Sequence, residues 1–383
     1  MQSAADDPPM TPAAPYGLRL ARLREDMRAT GIDAFAVTHL ANLRYLTGFS
    51  GSAGALVVTM SACVLIVDFR YGTAARDLLA LRTDGDVTLE LADRSCDEAI
   101  VAMLQRVEAA RIGIEAGEMP VNRFNRMSAA LASRRPTGLG TAESCPVLVP
   151  TERIVERRRL VKDAGEIARL REAGRRLSAI ARELPGLVRR GRSEQEIAAD
   201  VDTAMRTGGF DRPAFETIVA SGANSALPHA RPSRRVLQAG DGVVVDFGGV
   251  YDGYCVDLTR TLQVGAGTPV LGRLFHAVAE AHAAAIAAVR PGALASAIDA
   301  AARDVLARHG LGDAFGHGTG HGLGLEVHEE PRIGKAAAGQ LDLPVEPGMV
   351  FTIEPGAYVV GLGGVRIEDD VLVVDGGCER LTS

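Results

Sequence analysis

Tryptophan is absent from this sequence, aromatic residues are few, and lysine is almost missing. Aromatic residues make up 4% of the 383 residues, and lysine occurs only at Lys162 and Lys335. Without large aromatic side chains the core has to be aliphatic, and the hydrophobic share of 47% is large enough to build one. At roughly 100–200 residues per domain, the length predicts two or three domains.

The sequence also lacks an excess of positive charge and long apolar runs. Its net charge is −6, and the arginines at 157–159 follow Glu156, which argues against nucleic acid as a partner. No apolar run reaches ~18 residues, so we predict no membrane span. Residues 1–15 are rich in Ala and Pro and have neither a basic start nor an apolar stretch, which predicts a disordered tail rather than a signal peptide.

Cysteine is scarce and irregularly placed. The cysteines are odd in number, are widely spaced and include no C-x-x-C pair, which argues against a disulfide framework and against a thiolate zinc site. Reduced thiols are typical of the cytoplasm, which we predict as the location. The five cysteines are Cys63, Cys96, Cys145, Cys255 and Cys378.

Two regions follow the tail. Residues 16–150 contain short strand-like runs such as 55–58, joined by Gly, Asp and Ser turns, with helical stretches between them. This pattern predicts a mixed α/β domain. Pro146 and Pro150 mark its end, and residues 151–383 form the second region.

The second region alternates helices with strand-like segments. A long charged helix is predicted to begin near Thr151, and a capping box of Ser193 and Glu196 starts the next helix. Two Ala-rich helices follow, one starting at Thr268-Pro269 and the other ending at Gly310. The predicted strands cover residues 217–220, 242–247, 255–262, 350–354 and 365–374.

Each strand of a predicted hairpin carries a carboxylate. Asp246 ends an apolar run of valines, Asp252 and Gly253 form a two-residue turn, and Asp257 lies on the second strand. In this register Asp246 faces Thr259, so the two strand aspartates are diagonal neighbours on one face, roughly 7–8 Å apart at the backbone. Two buried carboxylates repel each other and are costly to desolvate, and a pair of cations removes that cost.

A glycine-rich loop carries three histidines. Glycine stands at every second position from Gly316 to Gly324, which excludes a stable helix and, with it, a dinucleotide-binding turn. The histidines are His317, His321 and His328, and no Glu follows the first of them, so the motif is not H-E-x-x-H. Such a loop lets the backbone approach a ligand closely and aims the imidazoles inward.

Two glutamates lie at strand positions near the C-terminus. Glu354 ends an apolar strand immediately before a Pro-Gly turn, and Glu368 is flanked by apolar residues on the next predicted strand. Alternation puts Arg366 on the same face as Glu368. A buried Glu requires a cation or a proton, whereas Asp369 and Asp370 are predicted to be solvated at the edge.

Together these motifs resemble those of the pita-bread metallopeptidases, in particular the Xaa-Pro peptidases prolidase and aminopeptidase P. The N-terminal half is similar through NLRYLTGFSGSAG at 42–54, and SGANSALPH at 221–229 resembles a stretch that ends in an active-site histidine. The matching motifs of the second half are VVDFG at Asp246, GYCVDLTRT at Asp257, HGTGHGLGLEVHEEP at His317, His321 and His328, TIEPG at Glu354 and VRIED at Glu368.

The resemblance implies an α/β (α+β) fold, with a pita-bread catalytic domain at 151–383 behind a smaller mixed α/β domain at 16–150. It also implies a pair of divalent metal ions. Four carboxylates and one imidazole form a hard, oxygen-rich donor set, which favours Mn²⁺, with Co²⁺, Fe²⁺ and Zn²⁺ as alternatives. The implied metal ligands are Asp246, Asp257, His321, Glu354 and Glu368.

Peptide hydrolysis is the activity that the resemblance implies. Glu354 would move a proton from water to the leaving nitrogen, and His328 would stabilise the oxyanion. His229, a further catalytic candidate, and His317 would line the substrate site, while Arg366 would brace a neighbouring carboxylate. The substrate would be the Xaa-Pro bond of a dipeptide or of a peptide N-terminus, and a homodimer is expected.

Three other functions compete with this one. A methionine aminopeptidase would have the same ligands but would resemble only the second half of the chain. A creatinase-like C–N hydrolase would have the same fold without most of the ligands, and a catalytically silent peptide-binding relative would have lost ligands. Dipeptidase and aminopeptidase both stay open, because the choice depends on how the substrate cleft is closed.

Overall fold

The computed structural model describes residues 14–82, 87–107, 109–133, 146–336 and 342–383. All but the last two residues of the predicted tail at 1–15 lie outside the described residues, as does Cys145. Pro15–Arg159 and Leu160–Ser383 form two compact units. In the described part of the chain, no helix has both the length and the apolar character needed to cross a membrane.

The N-terminal unit alternates helices and strands. Its elements are α1 (Tyr16–Thr30), β1 (Ala34–Val37), α2 (Leu40–Thr47), β2 (Ala55–Thr59), β3 (Cys63–Asp68), a 3-10 helix (Phe69–Tyr71), α3 (Gly72–Ala80), β4 (Val87–Ala92), α4 (Cys96–Arg106), β5 (Arg111–Glu115), α5 (Val121–Ala132), β6 (Val147–Thr151) and α6 (Ile154–Arg159).

One six-stranded sheet is the centre of this unit, with the strand order β4-β3-β2-β1-β5-β6. β1, β2 and β3 pair antiparallel, whereas β4, β5 and β6 run parallel to their neighbours. Aliphatic side chains such as Ile66 and Ile112 share a buried cluster with Ile100 and Leu104 of α4. The predicted mixed α/β character is confirmed, and its core is aliphatic as the composition requires.

The N-terminal unit ends further along the chain than the predicted boundary at residue 150. β6 pairs with β5 at the edge of the sheet, where the missing N–H of Pro150 is tolerated. α6 belongs to the same unit, because Arg158 pairs with Asp26 at 2.6 Å and its carbonyl accepts from the Tyr45 hydroxyl at 2.9 Å. The long helix predicted to begin near Thr151 is divided in the structure: α6 ends at Arg159, and an 18-residue helix follows at Ala164–Ala181.

The C-terminal unit contains the remaining elements. They are α7 (Ala164–Ala181), α8 (Leu184–Leu187), α9 (Glu194–Thr207), β7 (Arg212–Pro213), β8 (Ile218–Ser221), a 3-10 helix (Gly222–Ala226), β9 (Gly242–Tyr251), β10 (Tyr254–Gln263), α10 (Pro269–Ala288), α11 (Ala295–Arg308), a 3-10 helix (Gly312–Ala314), β11 (Gly320–Gly322), β12 (Glu329–Ile333), β13 (Val350–Ile353), β14 (Gly356–Val359), β15 (Gly363–Arg366), β16 (Asp369–Val374) and β17 (Gly377–Arg380).

Antiparallel sheets and helices form the layers of this unit. β9 pairs with β10, β7 and β8, a second sheet has the order β12-β11-β13-β16-β17, and β14 pairs with β15. α7 and α9 share one aliphatic cluster with β9 and β10, which includes Leu177 and Val245. α10 and α11 share a second cluster with β13 and β16, which includes Ile298 and Phe351. The helices therefore cover the apolar faces of the sheets.

Local signals begin the helices where the sequence predicts. Ser193 and Glu196 form the predicted capping box at the start of α9. α10 begins at Pro269, and the Thr268 side chain accepts from the backbone N–H of Leu271. These contacts satisfy N–H groups that have no partner within the helix.

The strand predicted at 365–374 is interrupted in the structure. β15 ends at Arg366 and β16 begins at Asp369, so Ile367 and Glu368 link two different sheets. The interruption lets one short segment contribute side chains from both sheets to the same place.

Candidate metal centre

The first two candidate ligands lie on the β9–β10 hairpin. Asp252 and Gly253 have φ angles of 45° and 77°, as a two-residue turn with left-handed residues requires. The register places Asp246 opposite Thr259, as predicted, and Asp257 precedes Thr259 by two residues on β10. Asp246 is 9% exposed and Asp257 is 5% exposed, so both carboxylates point into the protein.

His321 lies on β11, a short strand that pairs with both β12 and β13. The flanking glycines allow this close packing. A Cβ at Gly320 would lie 1.9 Å from the carbonyl oxygen of Thr352, and one at Gly322 would lie 2.0 Å from that of Glu330. Gly320 and Gly322 thus serve strand packing, whereas a Cβ at Gly316 would meet no atom of the described residues within 4 Å. His321 Nδ1 is 3.1 Å from the carbonyl oxygen of Gly322, which leaves Nε2 for a ligand.

Glu354 and Glu368 lie just beyond the ends of strands. Glu354 follows β13, and its N–H donates to the carbonyl oxygen of Thr319 at 2.8 Å. Thr259 holds Glu368 in two ways: its carbonyl oxygen accepts from the Glu368 N–H at 3.1 Å, and its hydroxyl donates to Glu368 Oε2 at 2.5 Å. The hairpin strand β10 therefore fixes a carboxylate from a distant part of the chain.

These side chains meet at one place. His321 Nε2 lies 3.5 Å from Glu354 Oε1 and 3.9 Å from Asp257 Oδ2. Ligand atoms of Asp257, His321 and Glu368 all lie within 4.8 Å of one another. Such a grouping of carboxylate oxygens and an imidazole nitrogen fits a divalent cation.

Asp246 supports the same conclusion through a missing contact. Its Oδ2 accepts from Arg366 Nη2 at 2.5 Å, but its buried Oδ1 has no hydrogen-bond partner among the described residues. A buried carboxylate oxygen without a donor costs free energy, and a neighbouring cation removes that cost. The residues present therefore fit a metal site that includes Asp246.

Burial and mutual repulsion control the electrostatics of the site. Burial raises the pKa of Asp257 well above its ordinary value, and the charges of Glu368 and Asp246 raise it further. Burial and the charges of Glu354 and Asp246 also raise the pKa of Glu368 well above its ordinary value, and burial raises the pKa of Glu354. Burial also lowers the pKa of His321, which keeps its imidazole neutral, as a metal ligand must be.

A chain of hydrogen bonds leads from Asp246 to His317. Arg366 Nη1 donates to the Tyr358 hydroxyl at 2.7 Å, and this hydroxyl lies 3.0 Å from His317 Nε2. Because His317 Nδ1 is 2.8 Å from the carbonyl oxygen of Gly318, we assign the proton to Nδ1, and Tyr358 donates to Nε2. Burial lowers the pKa of His317 and raises that of Tyr358 to about 12, so both side chains are neutral at pH 7.

Sequence reasoning missed Tyr358. The β14–β15 pairing places Tyr358 opposite Gly364, which makes it a diagonal neighbour of Arg366 on one face. An aromatic residue on a short strand after a Pro-Gly turn was the available signal, but its partner strand could not be chosen from the sequence.

The prediction that Asp369 and Asp370 are solvated is wrong. They are 1% and 0% exposed, because β16 lies between β13 and β17 rather than at an edge. Asp370 Oδ2 accepts from the backbone N–H of Asp257 at 3.0 Å. Asp370 therefore fixes the backbone of the candidate ligand Asp257.

The remaining candidates, His328 and His229, are exposed. The ring centroid of His328 lies 4.4 Å from that of His321. His229 follows Pro228, whose carbonyl oxygen accepts from Arg366 Nη1 at 3.3 Å. The charge of His229 also contributes to lowering the pKa values of two other site histidines. The structure thus brings every predicted site residue to the same region of the C-terminal unit.

Converging buried carboxylates, a neutral imidazole and exposed histidines beside them define a class of protein: a hydrolase that works with divalent cations. Comparison with known proteins gives the family. Residues 168–375 match Metallopeptidase family M24, and residues 19–161 match the Creatinase/Prolidase N-terminal domain. The chain belongs to metallopeptidase family M24.

Similar proteins match almost end to end. The chain is 36% identical to the uncharacterized peptidase YqhT of Bacillus subtilis, over 95% of this chain and 98% of that protein. It is 32% identical to the Xaa-Pro dipeptidase of Pyrococcus horikoshii, over 95% of this chain and 96% of that protein. The solved structure of an Xaa-Pro dipeptidase from Bacillus anthracis is similar, with a TM-score of 0.87, 32% identity and coverage of 96% of this chain and 98% of that chain.

These matches confirm the predicted pita-bread fold with its companion N-terminal domain, and they show that the protein is a peptidase. Membership of the family implies divalent metal ions. The match of residues 19–161 argues against the methionine aminopeptidase alternative, which would resemble only the second half.

Replacement of Asp257 by Asn should stabilise the metal-free protein at neutral pH. The raised pKa means that the folded state binds this proton more tightly than the unfolded chain does. The resulting stability is present at low pH and is lost as the pH rises through the folded-state pKa. With a chelator present, the thermal midpoint of Asp257→Asn should exceed that of the unmutated protein by a margin that grows from pH 4 to pH 8.

Asp252→Asn, on the turn of the same hairpin, is the matched control and should show no such growing margin. A constant difference for Asp257→Asn across this pH range would contradict the electrostatic account.

Replacement of Tyr358 by Phe should lower kcat/KM by about tenfold to a hundredfold, because it leaves buried groups of Arg366 and His317 without their shared partner. Metal content, measured by elemental analysis, should not change. Tyr254→Phe is the control, since it removes a buried tyrosine hydroxyl that contacts Glu166 instead. Equal losses of activity in both variants would mean that the hydroxyl of Tyr358 has no special role.

Proposed function

We propose that this protein hydrolyses Xaa-Pro bonds in dipeptides or at peptide N-termini with the help of a pair of divalent cations. The observation that carries the proposal is the convergence of Asp257, His321 and Glu368 within 4.8 Å, beside a buried Asp246 oxygen that has no donor in the described structure. The similarity of the chain to Xaa-Pro dipeptidases supports the choice of the Xaa-Pro bond.

By resemblance to the Xaa-Pro peptidases, the five proposed ligands would hold two cations. Asp246 would hold one cation and His321 the other, while Asp257, Glu354 and Glu368 would be shared. When bound, the cations supply a water of lowered pKa and a Lewis acid for the scissile carbonyl. The hard donor set favours Mn²⁺, with Co²⁺, Fe²⁺ and Zn²⁺ as alternatives.

Glu354 is the proposed proton carrier. It follows β13 directly, and Thr352 Oγ1 donates to its Oε1 at 3.4 Å. Burial raises the pKa of Glu354 in the metal-free protein. Placed beside the proposed cation site, this carboxylate would accept a proton from the attacking water and deliver it to the leaving nitrogen.

The histidines around the site take the substrate roles. His328 and His229 are exposed and are proposed to contact the substrate, with His328 stabilising the developing oxyanion. Partial desolvation by the surrounding protein, together with the charge of His321, lowers the pKa of His328, so its neutral ring offers an N–H donor. Both ring nitrogens of His317 are occupied, so we place it as a wall of the substrate site that acts through Tyr358.

Arg366 is the proposed brace between the substrate side and the metal side. Its guanidinium contacts the Asp246 carboxylate, the Tyr358 hydroxyl and the Pro228 carbonyl. A planar cation with several fixed donors suits this task better than lysine would.

A bond before proline has particular requirements. It has no N–H, so an enzyme that grips the scissile peptide through that group loses a contact. Polarisation of the carbonyl and protonation of a tertiary nitrogen are then the main tasks, and the proposed roles of the cations and of Glu354 match them. The homodimer, the cytoplasmic location and manganese stay predictions.

The direct test is metal analysis of the purified protein combined with hydrolysis of Ala-Pro and Ala-Pro-Ala. We expect about two bound divalent ions per chain in the active protein. Activity should be lost with a chelator and restored by Mn²⁺. Cleavage of the dipeptide alone would identify a dipeptidase, and cleavage of the tripeptide would identify an aminopeptidase. No cleavage of either peptide with any of the four metals would overturn the proposal.

Glu354→Gln should lower kcat by a factor of about a hundred or more, because the amide neither accepts nor delivers a proton. The measurement is turnover of Ala-Pro at saturating Mn²⁺ with the bound metal quantified. Glu326→Gln, in the segment between two site histidines, is the control and should keep most of the activity. Turnover of Glu354→Gln near that of the unmutated enzyme would show that the role assigned to Glu354 is wrong.

A further inference from the structure

A buried carboxylate outside the metal centre holds both ends of the loop that carries His229. We define the His229 loop as residues 221–233. It begins at Ser221, the last residue of β8, and ends at Ser233, which lies beside the start of α9. Glu194, the first residue of α9, is 0% exposed and lies between these two ends.

Each oxygen of Glu194 serves one end of the loop. Oε1 accepts from the backbone N–H and the hydroxyl of Ser221, both at 2.7 Å. Oε2 accepts from the backbone N–H of Ser233 at 2.9 Å and from its hydroxyl at 2.6 Å. Asn224 Nδ2 lies 3.1 Å and 3.3 Å from the two oxygens. One carboxylate therefore closes the loop at its base.

This carboxylate is not needed to begin the helix. Ser193 and Glu196 already form the capping box of α9, and Ile197 and Val201 anchor the helix in the aliphatic core. Burial raises the pKa of Glu194, but hydrogen bonds from Ser221 and Ser233 outweigh burial and bring the pKa below its ordinary value. A fully buried anion is tolerated only with such a complete set of donors, and here the donors come from the loop.

A second ion pair supports the same base. Arg235 Nη1 donates to the Ser221 hydroxyl at 2.6 Å, and the guanidinium pairs with Asp241 at 2.6 Å and 2.9 Å. Gly222 has a φ of 54°, and a Cβ there would lie 2.5 Å from Arg235 Nη2. The first turn of the loop is thus packed tightly against this pair.

The far side of the loop touches the proposed active site. Ser225 Oγ accepts from the Gly364 N–H at 2.8 Å, and the carbonyl oxygen of Pro228 accepts from Arg366 Nη1 at 3.3 Å. His229, the next residue, is exposed beside these contacts. The loop is held at its base by Glu194 and near its tip by β15.

We propose that Glu194 is a positioning residue for substrate binding, which acts by fixing the His229 loop so that the imidazole of His229 meets the substrate in one orientation. The proposal rests on the proposed function, in which His229 contacts the peptide. A loop closed at both ends by one carboxylate loses less conformational entropy when the substrate binds, so the effect should appear mainly in KM.

Glu194→Gln tests the proposal, because the amide keeps the shape but can accept through only one of its two terminal atoms. One backbone N–H at the loop base then loses its acceptor. With Ala-Pro and Mn²⁺, we expect kcat/KM to fall about tenfold to a hundredfold, mostly through a higher KM, with unchanged metal content. In a His229→Ala background the same change should cost less than about threefold, since the residue being positioned is gone.

Glu196→Gln is the matched control on the same helix. Its carboxylate accepts from the N–H and hydroxyl of Ser193 and has no contact with the His229 loop in the described structure. It should change kcat/KM by less than about threefold in either background. If Glu194→Gln does not fold, Ser233→Ala removes a single hydroxyl donor and should show a smaller loss with the same non-additivity.

A second measurement separates this proposal from the proposed function. The chain has eight histidines, so the ring signal of His229 can be assigned in an NMR spectrum of the protein loaded with diamagnetic Zn²⁺ by comparison with His229→Ala. Glu194→Gln should shift or broaden that signal, and Glu196→Gln should not. If Glu194→Gln leaves the signal unchanged, or if its effect and that of His229→Ala on kcat/KM simply multiply, the positioning role is overturned. A changed signal in a protein that cleaves no Xaa-Pro bond would mean that the proposed function fails while Glu194 still fixes the loop.

Discussion

Repulsion among buried carboxylates is the constraint on which the C-terminal unit depends. Asp257 and Glu368 are 5% and 2% exposed, and Asp246 lies beside them with one oxygen lacking a donor in the described structure. In a dry environment each charge raises the free energy of the others, so the protein by itself favours protonation. Divalent cations reverse this preference, because their charge offsets that of the carboxylates. The same arrangement that destabilises the metal-free fold is therefore the basis of a hydrolytic site.

The fold holds these unfavourable groups in place with hydrogen bonds to other strands. Thr259 fixes Glu368, Arg366 fixes Asp246, and Asp370 accepts the backbone N–H of Asp257. Glu194 is also held by hydrogen bonds, away from the metal centre, and all of its donors in the described structure lie in the His229 loop. At Glu194 these hydrogen bonds compensate the buried charge, whereas at the metal centre they fix the positions of the carboxylates.

Local physical rules account for the parts that the sequence predicts well. The hairpin register follows from its Asp252-Gly253 turn and from the two-residue period of a strand, and the observed pairing of Asp246 with Thr259 agrees. The capping box at Ser193 is equally local, because all its partners lie within one turn. The glycine alternation is visible in the sequence, but the reason for glycine at Gly320 and Gly322, close contact of β11 with two neighbouring strands, depends on the sheet.

The sequence by itself determined which residues are candidates for the chemistry, because carboxylates and imidazoles in apolar strands and glycine-rich segments are costly unless they serve a purpose. It did not determine that Asp370 is buried or that Tyr358 joins Arg366 to His317. Those contacts depend on which strands become neighbours, and Arg366 and Asp246 are separated by 120 positions. Only the packing of sheets and helices decides such pairings, since burial and long-range contact belong to the assembled layers and not to any local segment.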